Sequence, residues 1–515
     1  MRAGIESNSP AGVQATTARF PGPGAARRDF AAEFADFSSA ATAGSLPAVA
    51  AAAAKANLLD TLACAIAGSN AAGIGELVGL AVGWGGAEQA RIWCSGVHVP
   101  AHHAAWVNGA MAHARDFDDT HDAAILHAGV SVVPAALAAA ELNPDATGAD
   151  LLAAIACGLE LVCRLGCATT IGIIDSGFIY TSLFGYFGAT AAAARVLGLD
   201  AADTVNALGI AYSQAAGTHQ VTRDAALTKR MQPGFAAKAA LLSAQMTRAG
   251  IRGAQETFEG GDGLFRTYLS GRYGPDRLRD ELGRRFDMAD LSYKPYPCCR
   301  FNHTAIDAAL AVRARPGFDP SRVTRIEAGV NHQAYEAVCT PPAMRKAPRT
   351  IVGAQFSIPY TVACALLDGA VGLGHFTDAA LGRADVLTLA ARTECRVDED
   401  IQSGWARSIS PTELKVWLGD ELFRARIDLP GGHPERPMTG ADTRAKLEGC
   451  LRFSELAWPE GRADEIAAAV ASLETLPRAA DLVDLLAPND RHSRGCAEVL
   501  ASPRGRAAAE PPGGA

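Results

Sequence analysis

The chain has little of several features that mark particular classes of protein. Aromatic residues make up only 6% of its 515 residues, which disfavours an aromatic-rich β-sandwich. It has no run of basic residues and its formal net charge is -8, so nucleic acid is not an expected partner. No apolar stretch of about 18–20 residues is free of charge, so we predict no membrane span and no membrane partner.

The ends of the chain and its cysteines exclude further classes. The first 28 residues lack the apolar core of a signal peptide, and we interpret 1–29 as a flexible N-terminal arm and 502–515 as a flexible tail. The 12 cysteines are too scattered for a secreted disulfide scaffold, so a cytoplasmic location is expected. They match no zinc or iron–sulfur pattern, and no metal or cofactor is predicted. The neighbours Cys298 and Cys299 are expected to remain thiols, because a disulfide between them would strain the turn.

The abundant residues indicate a mainly α-helical protein. Hydrophobic residues reach 49%, and long alanine-rich segments favour close-packed helices. In the middle of the chain the pattern changes: 323–331 alternates like a strand, and 413–429 has the pattern of a hairpin around a Gly-Asp turn. We therefore predict a large all-α domain built from 30–289 and 434–501, with an α+β lid domain, 290–433, inserted between its two parts.

One stretch concentrates polar groups between apolar segments. Residues 113–127 read HARDFDDTHDAAILH, and the polar members singled out are Asp116, Asp118, Asp119, Thr120, His121, Asp122 and His127. Burial of so many polar groups is costly without partners, so we expect them to line water, a ligand or a metal. The alternative is a solvated junction between a helix and a loop, because aspartate and threonine are common helix caps.

A basic turn later in the chain carries the opposite charge. The segment ALTKRMQPGF places Lys229 and Arg230 directly before a predicted helix. The positive end of a helix favours an anionic ligand, and the two side chains would strengthen that preference. An exposed basic turn is the alternative, since lysines are usually solvated.

A proline-restrained block supplies further cations. The segment SYKPYPCCRFNH contains Lys294, Arg300 and His303. Two prolines restrict its backbone, and a rigidly presented lysine and arginine suit the binding of carboxylates. Together with the acidic stretch, these cations predict a site for a small polycarboxylate. Histidine, aspartate and lysine would move protons there, and fixed cations would stabilise an enediolate-like charge.

Several of these segments resemble the MmgE/PrpD family, and they occur in the right order over about residues 30–480. They are NGAMAHARDFDDTHD, GFIYTSLFGYFGATAAAARVLGL, TKRMQPGFAAK, KPYPCCRFNH and FSIPYTVACALLDG. That family includes 2-methylcitrate dehydratases, cis-aconitate decarboxylases and iminodisuccinate epimerases. The resemblance implies the two-domain arrangement above, a homodimer, and a site without cofactor or metal in the cleft between the domains.

The resemblance also implies roles for particular residues. Carried over position by position, the catalytic residues would be Asp116, Thr120, His127, Lys229, Lys294 and Tyr335. The residues predicted to bind substrate around them are His121, Arg230, Arg300, His303, Tyr180 and Thr181. In this arrangement the lysines would hold substrate carboxylates, a histidine would exchange the proton at the reacting carbon, and Asp116 would orient its neighbours.

One departure from the family pattern bears on the reaction. Dehydratase and decarboxylase members often carry a histidine and a proline after the residue equivalent to Phe178, where this chain has Ile179 and Tyr180. We favour a lyase acting on a substrate such as 2-methylcitrate or cis-aconitate. The missing histidine makes an epimerase of an iminodisuccinate-like dicarboxylate the alternative, and a non-catalytic carboxylate-binding paralogue is the third hypothesis.

A different enzyme class matches a single string of five residues. Residues 118–122, DDTHD, have the DDxxD form that all-helical prenyl-diphosphate enzymes use to hold magnesium. Such pockets need many aromatic side chains to shield carbocations, and this chain has few. A second magnesium-binding motif is also not evident, so this hypothesis ranks below the polycarboxylate enzyme.

Overall fold

The structure is a computed structural model that describes residues 27–488 apart from Ala225 and 406–408. In that part of the chain the fold is mainly α-helical, as predicted. The predicted tail and most of the predicted arm lie outside the described residues. The end of the arm belongs to the fold, because Asp29 caps the first helix and accepts a hydrogen bond from Ala31 N at 2.8 Å.

The first part of the chain forms a helical unit. Its helices are Phe30–Ala40, Ala48–Gly68, Ile74–Trp84, Ala101–His113, Gly129–Leu142, Gly148–Ala168, Ile173–Ser176, Tyr180–Val196, Ala201–Tyr212, Gln220–Arg223, Gln232–Arg248, Leu264–Leu269 and Pro275–Arg279. A short ribbon pairs Ala90–Arg91 with His98–Val99. Apolar side chains from these helices form one continuous core.

The last part of the chain returns to the same core. Its helices are Gly440–Phe453, Arg462–Ala471 and Asp481–Asp484. Buried residues such as Leu447, Ile466 and Leu482 belong to the core of the first part. The helix Gly440–Phe453 packs against Ala48–Gly68. Both ends of the described chain therefore build one helical unit.

Small residues let the central helices approach closely. Helices Gly148–Ala168 and Tyr180–Val196 pack so tightly that a Cβ added at Gly188 would lie 2.5 Å from the backbone oxygen of Gly158. Helices Ala48–Gly68 and Gly148–Ala168 are long and apolar enough to cross a membrane, but 61% and 94% of their most apolar windows are buried inside the fold. Packing in the core explains their composition, and the absence of a membrane partner stays a prediction.

The middle of the chain forms an α+β unit with its own core. The four strands lie in the order Thr393–Val397, Arg325–Val330, Thr412–Leu418 and Glu421–Ile427. The first two are parallel, and the other pairs are antiparallel. The hairpin predicted from the sequence is confirmed, with Leu418 opposite Glu421 around the Gly419-Asp420 turn.

Helices cover this sheet and complete the second core. They are His303–Arg313, His332–Ala334, Pro342–Lys346, Ile351–Gln355, Ile358–Asp368, Asp378–Leu381, Ala384–Ala391 and Glu399–Trp405, with a π-helical turn at Tyr335–Cys339. The buried residues of this core come from Cys298 to Phe423. The two cores are separate in the described residues, so the change of pattern along the sequence corresponds to a change of packing unit.

The two units meet where the acidic stretch passes the proline-restrained block. The short strand Thr120–His121 pairs with Leu291–Ser292, and Thr120 lies opposite Ser292. This pairing brings residues about 170 positions apart in sequence side by side, which positions the candidate site.

Candidate active site

The centre of the site is a buried ion pair between Asp116 and Lys294. Lys294 Nζ lies 2.6 Å from Asp116 Oδ1 and donates a second hydrogen bond to the backbone oxygen of Asp116 at 3.0 Å. Only 3% of Asp116 and 1% of Lys294 is exposed. Asp116 follows the helix Ala101–His113 with φ of 54°, a left-handed conformation that aspartate tolerates better than most residues.

The charges of this pair support each other. Burial by itself raises the pKa of Asp116, but the positive charges of Lys294, Lys229 and His127 outweigh it and hold that pKa well below its usual range. Burial lowers the pKa of Lys294, and the carboxylates of Asp116 and Asp118 more than compensate, so that pKa is raised. Both side chains are therefore charged at neutral pH.

Beside this pair, one carboxylate oxygen contacts two imidazoles. Asp118 Oδ2 lies 2.9 Å from His113 Nδ1 and 2.9 Å from His127 Nδ1. The two rings meet edge to face with centroids 4.9 Å apart. Asp118 is fully buried, whereas 16% of the His127 side chain is exposed. His127 is therefore the member of this cluster that solvent or a ligand can reach.

The basic turn joins the same cluster. Lys229 lies in the 3-10 turn Leu227–Arg230, directly before the helix Gln232–Arg248. Its Nζ lies 3.3 Å from His113 Nε2 and 5.6 Å from the centroid of the Phe356 ring, a cation–π contact. The side chains of Lys229, Lys294, Asp116 and His127 therefore lie close enough to interact electrostatically.

The protonation states in the cluster follow from burial and charge. Burial raises the pKa of Asp118, but His113 and His127 outweigh it and hold that pKa well below its usual range. Burial lowers the pKa of His113 from 6.5 to about 4, and the charge of Lys229 acts in the same direction against the opposing effect of Asp118. At neutral pH Asp118 is ionised and His113 is neutral.

Three buried oxygens in the acidic stretch have no hydrogen-bond partner among residues 27–488 as described. They are Asp116 Oδ2, Asp118 Oδ1 and Thr120 Oγ1. Buried polar atoms are almost always hydrogen-bonded in folded proteins. Buried oxygens without a partner in the protein therefore mark a place where water or a ligand supplies the hydrogen bond. Their clustering supports this stretch as a functional site.

The same stretch contains the described residues whose spacing would admit a metal ion. The ligand atoms of His113, Asp118 and His127 lie within 4.8 Å of one another. Both Nδ1 atoms already face the Asp118 carboxylate, so a metal at these atoms would have to displace those contacts. The residues therefore fit a hydrogen-bonded set better than a ligand set.

The DDxxD string does not present its carboxylates together. Asp118 faces the two imidazoles, whereas Asp119 accepts hydrogen bonds from Ala128 N at 2.8 Å and Gly129 N at 3.0 Å at the start of a helix. Asp122 pairs with Arg300 NH2 at 3.0 Å. Three carboxylates with three separate partners do not form the magnesium site of a prenyl-diphosphate enzyme.

Comparison with known proteins places the chain in a family. Residues 32–275 match the profile of the MmgE/PrpD N-terminal domain, and residues 296–475 match that of the MmgE/PrpD C-terminal domain. The chain belongs to the MmgE/PrpD family. The two matched ranges contain the five segments on which the resemblance was based, apart from Lys294 and Pro295.

Several relatives of this MmgE/PrpD chain carry related names. It is 29% identical to a cis-aconitate decarboxylase of Homo sapiens over 363 residues, which covers 68% of this chain and 73% of the relative. It is 28% identical to a cis-aconitate decarboxylase-like protein of Aspergillus oryzae, covering 75% and 81%. It is 26% identical to a cis-aconitate decarboxylase of Aspergillus terreus, covering 83% and 90%.

Three of the predicted substrate-binding residues of the MmgE/PrpD chain are engaged by the protein itself. Arg300 bonds to Asp122 and donates to the backbone oxygen of Gly431 at 2.8 Å. His303 is fully buried, and burial together with the charges of Arg300 and Lys294 holds its pKa well below its usual range. His121 Nε2 lies 3.1 Å from the backbone oxygen of Asp287. Of these contacts, the pair of Arg300 with Asp122 joins the two units.

The remaining predicted residues occupy different positions. Tyr180 donates its hydroxyl proton to the backbone oxygen of Ile171 at 2.6 Å, and Thr181 Oγ1 accepts from His127 N at 3.0 Å. Tyr335 begins the π-helical turn and packs against the core of the α+β unit. The described contacts do not bring Tyr335 to the cluster, and its catalytic role stays a prediction. Arg230 donates a hydrogen bond to Gln355 Oε1 beside the cluster.

Sequence reasoning missed three residues that shape the site and the role of a fourth. Asp118 was counted with the acids but not assigned to the imidazoles, and His113 was not singled out, although it lies five residues before Asp118. Gln355 links the units by donating to the backbone oxygens of Arg115 and Pro297 at 2.7 and 2.9 Å. Lys446 lies under the site from the last part of the chain. The latter two carry no local signal in sequence.

Proposed function

We propose that the chain is a cofactor-independent lyase that acts on a small di- or tricarboxylate such as cis-aconitate or 2-methylcitrate. Proton transfer would occur at a carbon next to a carboxylate. The observation that carries this proposal is one cluster in which Lys229 contacts His113, Lys294 contacts Asp116, and His113 and His127 share the Asp118 carboxylate. The names of the relatives support the same class of reaction.

The charge balance of the cluster favours an anionic ligand. The ammonium groups of Lys229 and Lys294 lie in the same cluster as the carboxylates of Asp116 and Asp118, and the guanidinium of Arg230 adds a further positive charge. A substrate with two or three carboxylates adds negative charge in a poorly solvated place, which favours protonation of His127. The bound substrate thereby prepares the acid that a decarboxylation requires.

In a decarboxylation at this site, the bond between the carbon skeleton and the departing carboxylate breaks and carbon dioxide leaves. The electron pair stays on the carbon chain beside a remaining carboxylate. Lys229 and Lys294 would stabilise that charge as fixed cations. Protonated His127 would deliver the Nε2 proton to carbon and then recover one from solvent, while Asp118 stabilises the imidazolium.

The second candidate is an epimerase of an iminodisuccinate-like dicarboxylate. It is favoured by Ile179, which lies almost buried before the helix Tyr180–Val196 at the place of a histidine in many family members. The hydroxyl of Tyr180 is bound to Ile171 and does not replace that histidine. An epimerase would exchange and invert one proton without losing any other group.

A panel of unsaturated and hydroxylated polycarboxylates tests the proposal. We expect the purified protein to release carbon dioxide or water from at least one of them, and proton NMR monitors the reaction. We expect His127→Ala to lose that activity. Solvent exchange and inversion without loss of a group would favour the epimerase. Thermal stabilisation by these ligands without any turnover would indicate a binding paralogue and would contradict the proposed lyase.

Two further properties are proposals at the level of the whole protein. The family resemblance predicts a homodimer, so light scattering should give a mass of about twice the 53.4 kDa of one chain. A cytoplasmic location is likewise a prediction, and cell fractionation of the native host tests it. A monomer in solution at working concentration would contradict the first of these.

A further inference from the structure

In the proposed reaction Asp118 only stabilises the imidazolium and His113 has no role, yet both are buried at its centre. We infer that they are positioning residues: Asp118 orients both imidazoles with Nδ1 toward its carboxylate, so that His127 offers Nε2 to the substrate, and His113 holds the ammonium of Lys229. This inference rests on the proposed roles of His127 and Lys229. It is carried by the directions of four polar contacts.

The contacts of His127 determine which of its ring nitrogens carries the proton. Its Nδ1 lies 2.5 Å from the backbone oxygen of Asp119 and 2.9 Å from Asp118 Oδ2. A carbonyl and an ionised carboxylate can only accept, so Nδ1 must carry the proton. In a neutral imidazole the other nitrogen, Nε2, then carries the lone pair. His127 is thereby fixed in the form that exchanges a proton through Nε2.

The contacts of His113 determine its tautomer in the same way. Its Nδ1 lies 2.9 Å from Asp118 Oδ2 and must donate for the same reason. Its Nε2 therefore carries a lone pair, and that atom lies 3.3 Å from Lys229 Nζ. An ammonium group has donors only, so this contact has the correct polarity without any further proton. His113 thus orients Lys229 by accepting one of its three N–H groups.

One oxygen, Asp118 Oδ2, connects the two histidines by accepting from both imidazoles. His113 lies at the end of the helix Ala101–His113, and His127 directly precedes Ala128. The backbone of His127 is also fixed, because its N–H donates to Thr181 Oγ1 at 3.0 Å. Asp118 consequently positions the proton-transferring group and, through His113, one carboxylate-binding group.

The variant Asp118→Asn tests the connection. Its shape is nearly unchanged, but the negative charge that faces both imidazoles is lost, and His113 loses the carboxylate that holds it beside Lys229. We expect kcat to fall by about 10²–10⁴-fold, the range seen when a histidine-orienting carboxylate is replaced elsewhere, and KM for the carboxylate substrate to rise by about threefold or more. Circular dichroism checks that the variant is folded. An unchanged kcat in a folded variant would overturn the inference.

Two variants of His113 separate its two contacts. In His113→Asn the side-chain amide lies near the place of Nδ1 and can still donate to Asp118, but nothing reaches Lys229. In His113→Gln the amide oxygen lies near the place of Nε2 and can still accept from Lys229. We expect KM for the carboxylate substrate to rise about tenfold more in His113→Asn than in His113→Gln. Equal KM values in the two variants would overturn the role of His113.

A measurement without substrate separates this inference from the proposed function. Two-bond proton–nitrogen NMR spectra of the ¹⁵N-histidine-labelled protein report which ring nitrogen carries the proton, and variants of the two histidines assign the signals. We expect both rings of the wild-type protein to be protonated at Nδ1. A wild-type His127 protonated at Nε2 would overturn the inference, whereas the expected tautomers without turnover would contradict only the proposed reaction.

Discussion

Lys446 donates its ammonium to the backbone oxygen of Lys294 at 3.0 Å, although 152 positions separate them in sequence. The same Nζ donates to Asp60 Oδ1 at 2.6 Å and to the backbone oxygen of Phe117 at 2.7 Å. All three N–H groups are therefore used by three different segments. The last helical part of the chain thus fixes the backbone of the site at Phe117 and Lys294.

Replacing Lys446 should destabilise the protein strongly. Lys446→Met leaves the Asp60 carboxylate buried without its cation, and removing one partner of a buried pair costs about 3–5 kcal/mol. Urea unfolding measures the change. The matched control is Lys55→Met, on the helix that also carries Asp60, because Lys55 pairs with the half-exposed Glu474 and should cost about 1 kcal/mol or less. Equal losses in the two variants would contradict the supporting role of Lys446.

The two lysines of the site should respond differently to substitution. Lys229→Met removes a cation whose contacts are a neutral imidazole and an aromatic ring, so we expect weaker carboxylate binding, by about 1.5–3 kcal/mol, in a stable protein. Lys294→Met also strands the buried Asp116 and should lower the free energy of unfolding by about 3–5 kcal/mol. Calorimetric titration and urea unfolding separate the effects, with the remote Lys238→Met as control. Unaltered binding in Lys229→Met would place the carboxylate elsewhere.

The buried His113 should make the protein less stable in acid. Its pKa is about 4 in the folded state and near 6.5 in the unfolded state, so between these values the unfolded chain binds a proton that the folded chain does not. The free energy of unfolding then falls as pH decreases from 6.5 to 4, by up to about 3 kcal/mol from this group. Asp119 opposes part of this loss, because burial and the neighbouring Asp118 raise its pKa to about 6.

The measurement is the slope of stability against pH in His113→Asn, which cannot take up that proton. We expect a shallower loss of stability between pH 6.5 and 4 than in the wild type, even though the variant starts from a different stability. His332→Asn, at an exposed position, should keep the wild-type slope. A parallel slope in His113→Asn would show that folding does not lower the pKa of His113.

Removal of divalent metals should leave activity unchanged. The Nδ1 atoms of His113 and His127 are already engaged by the Asp118 carboxylate. Exhaustive dialysis against a chelator followed by an activity assay is the check. Activity that disappears with the chelator and returns with a single added metal would identify the cluster as a metal site instead.

Much of the helical architecture could be predicted from local pattern. The helix that ends before Gly250 and the hairpin around Gly419 are encoded by periodicity and turn residues within a short window. The acidic stretch was also found, because polar groups at that density between apolar helices are unusual. Its partners Lys229 and Lys294 were proposed from charge and from the family resemblance.

What could not be predicted depends on which segments meet in space. Lys446 is one lysine among others on a polar helix, and only packing against Ala48–Gly68 buries it. The division of labour among Asp118, Asp119 and Asp122 also follows from the path of the backbone, since the three side chains point to imidazoles, a helix start and an arginine. Sequence spacing alone does not fix those directions.

The central claim is that His127 exchanges a proton with carbon at a carboxylate substrate held by Lys229 and Lys294. The most direct measurement is turnover of cis-aconitate and its hydroxylated analogues in deuterated water, with the products examined by NMR and mass spectrometry. We predict that a decarboxylated product of the wild-type enzyme carries one solvent deuterium at a carbon next to a remaining carboxylate, and that folded His127→Ala forms no such product. A decarboxylated product without solvent deuterium, or equal turnover by His127→Ala, would contradict the account.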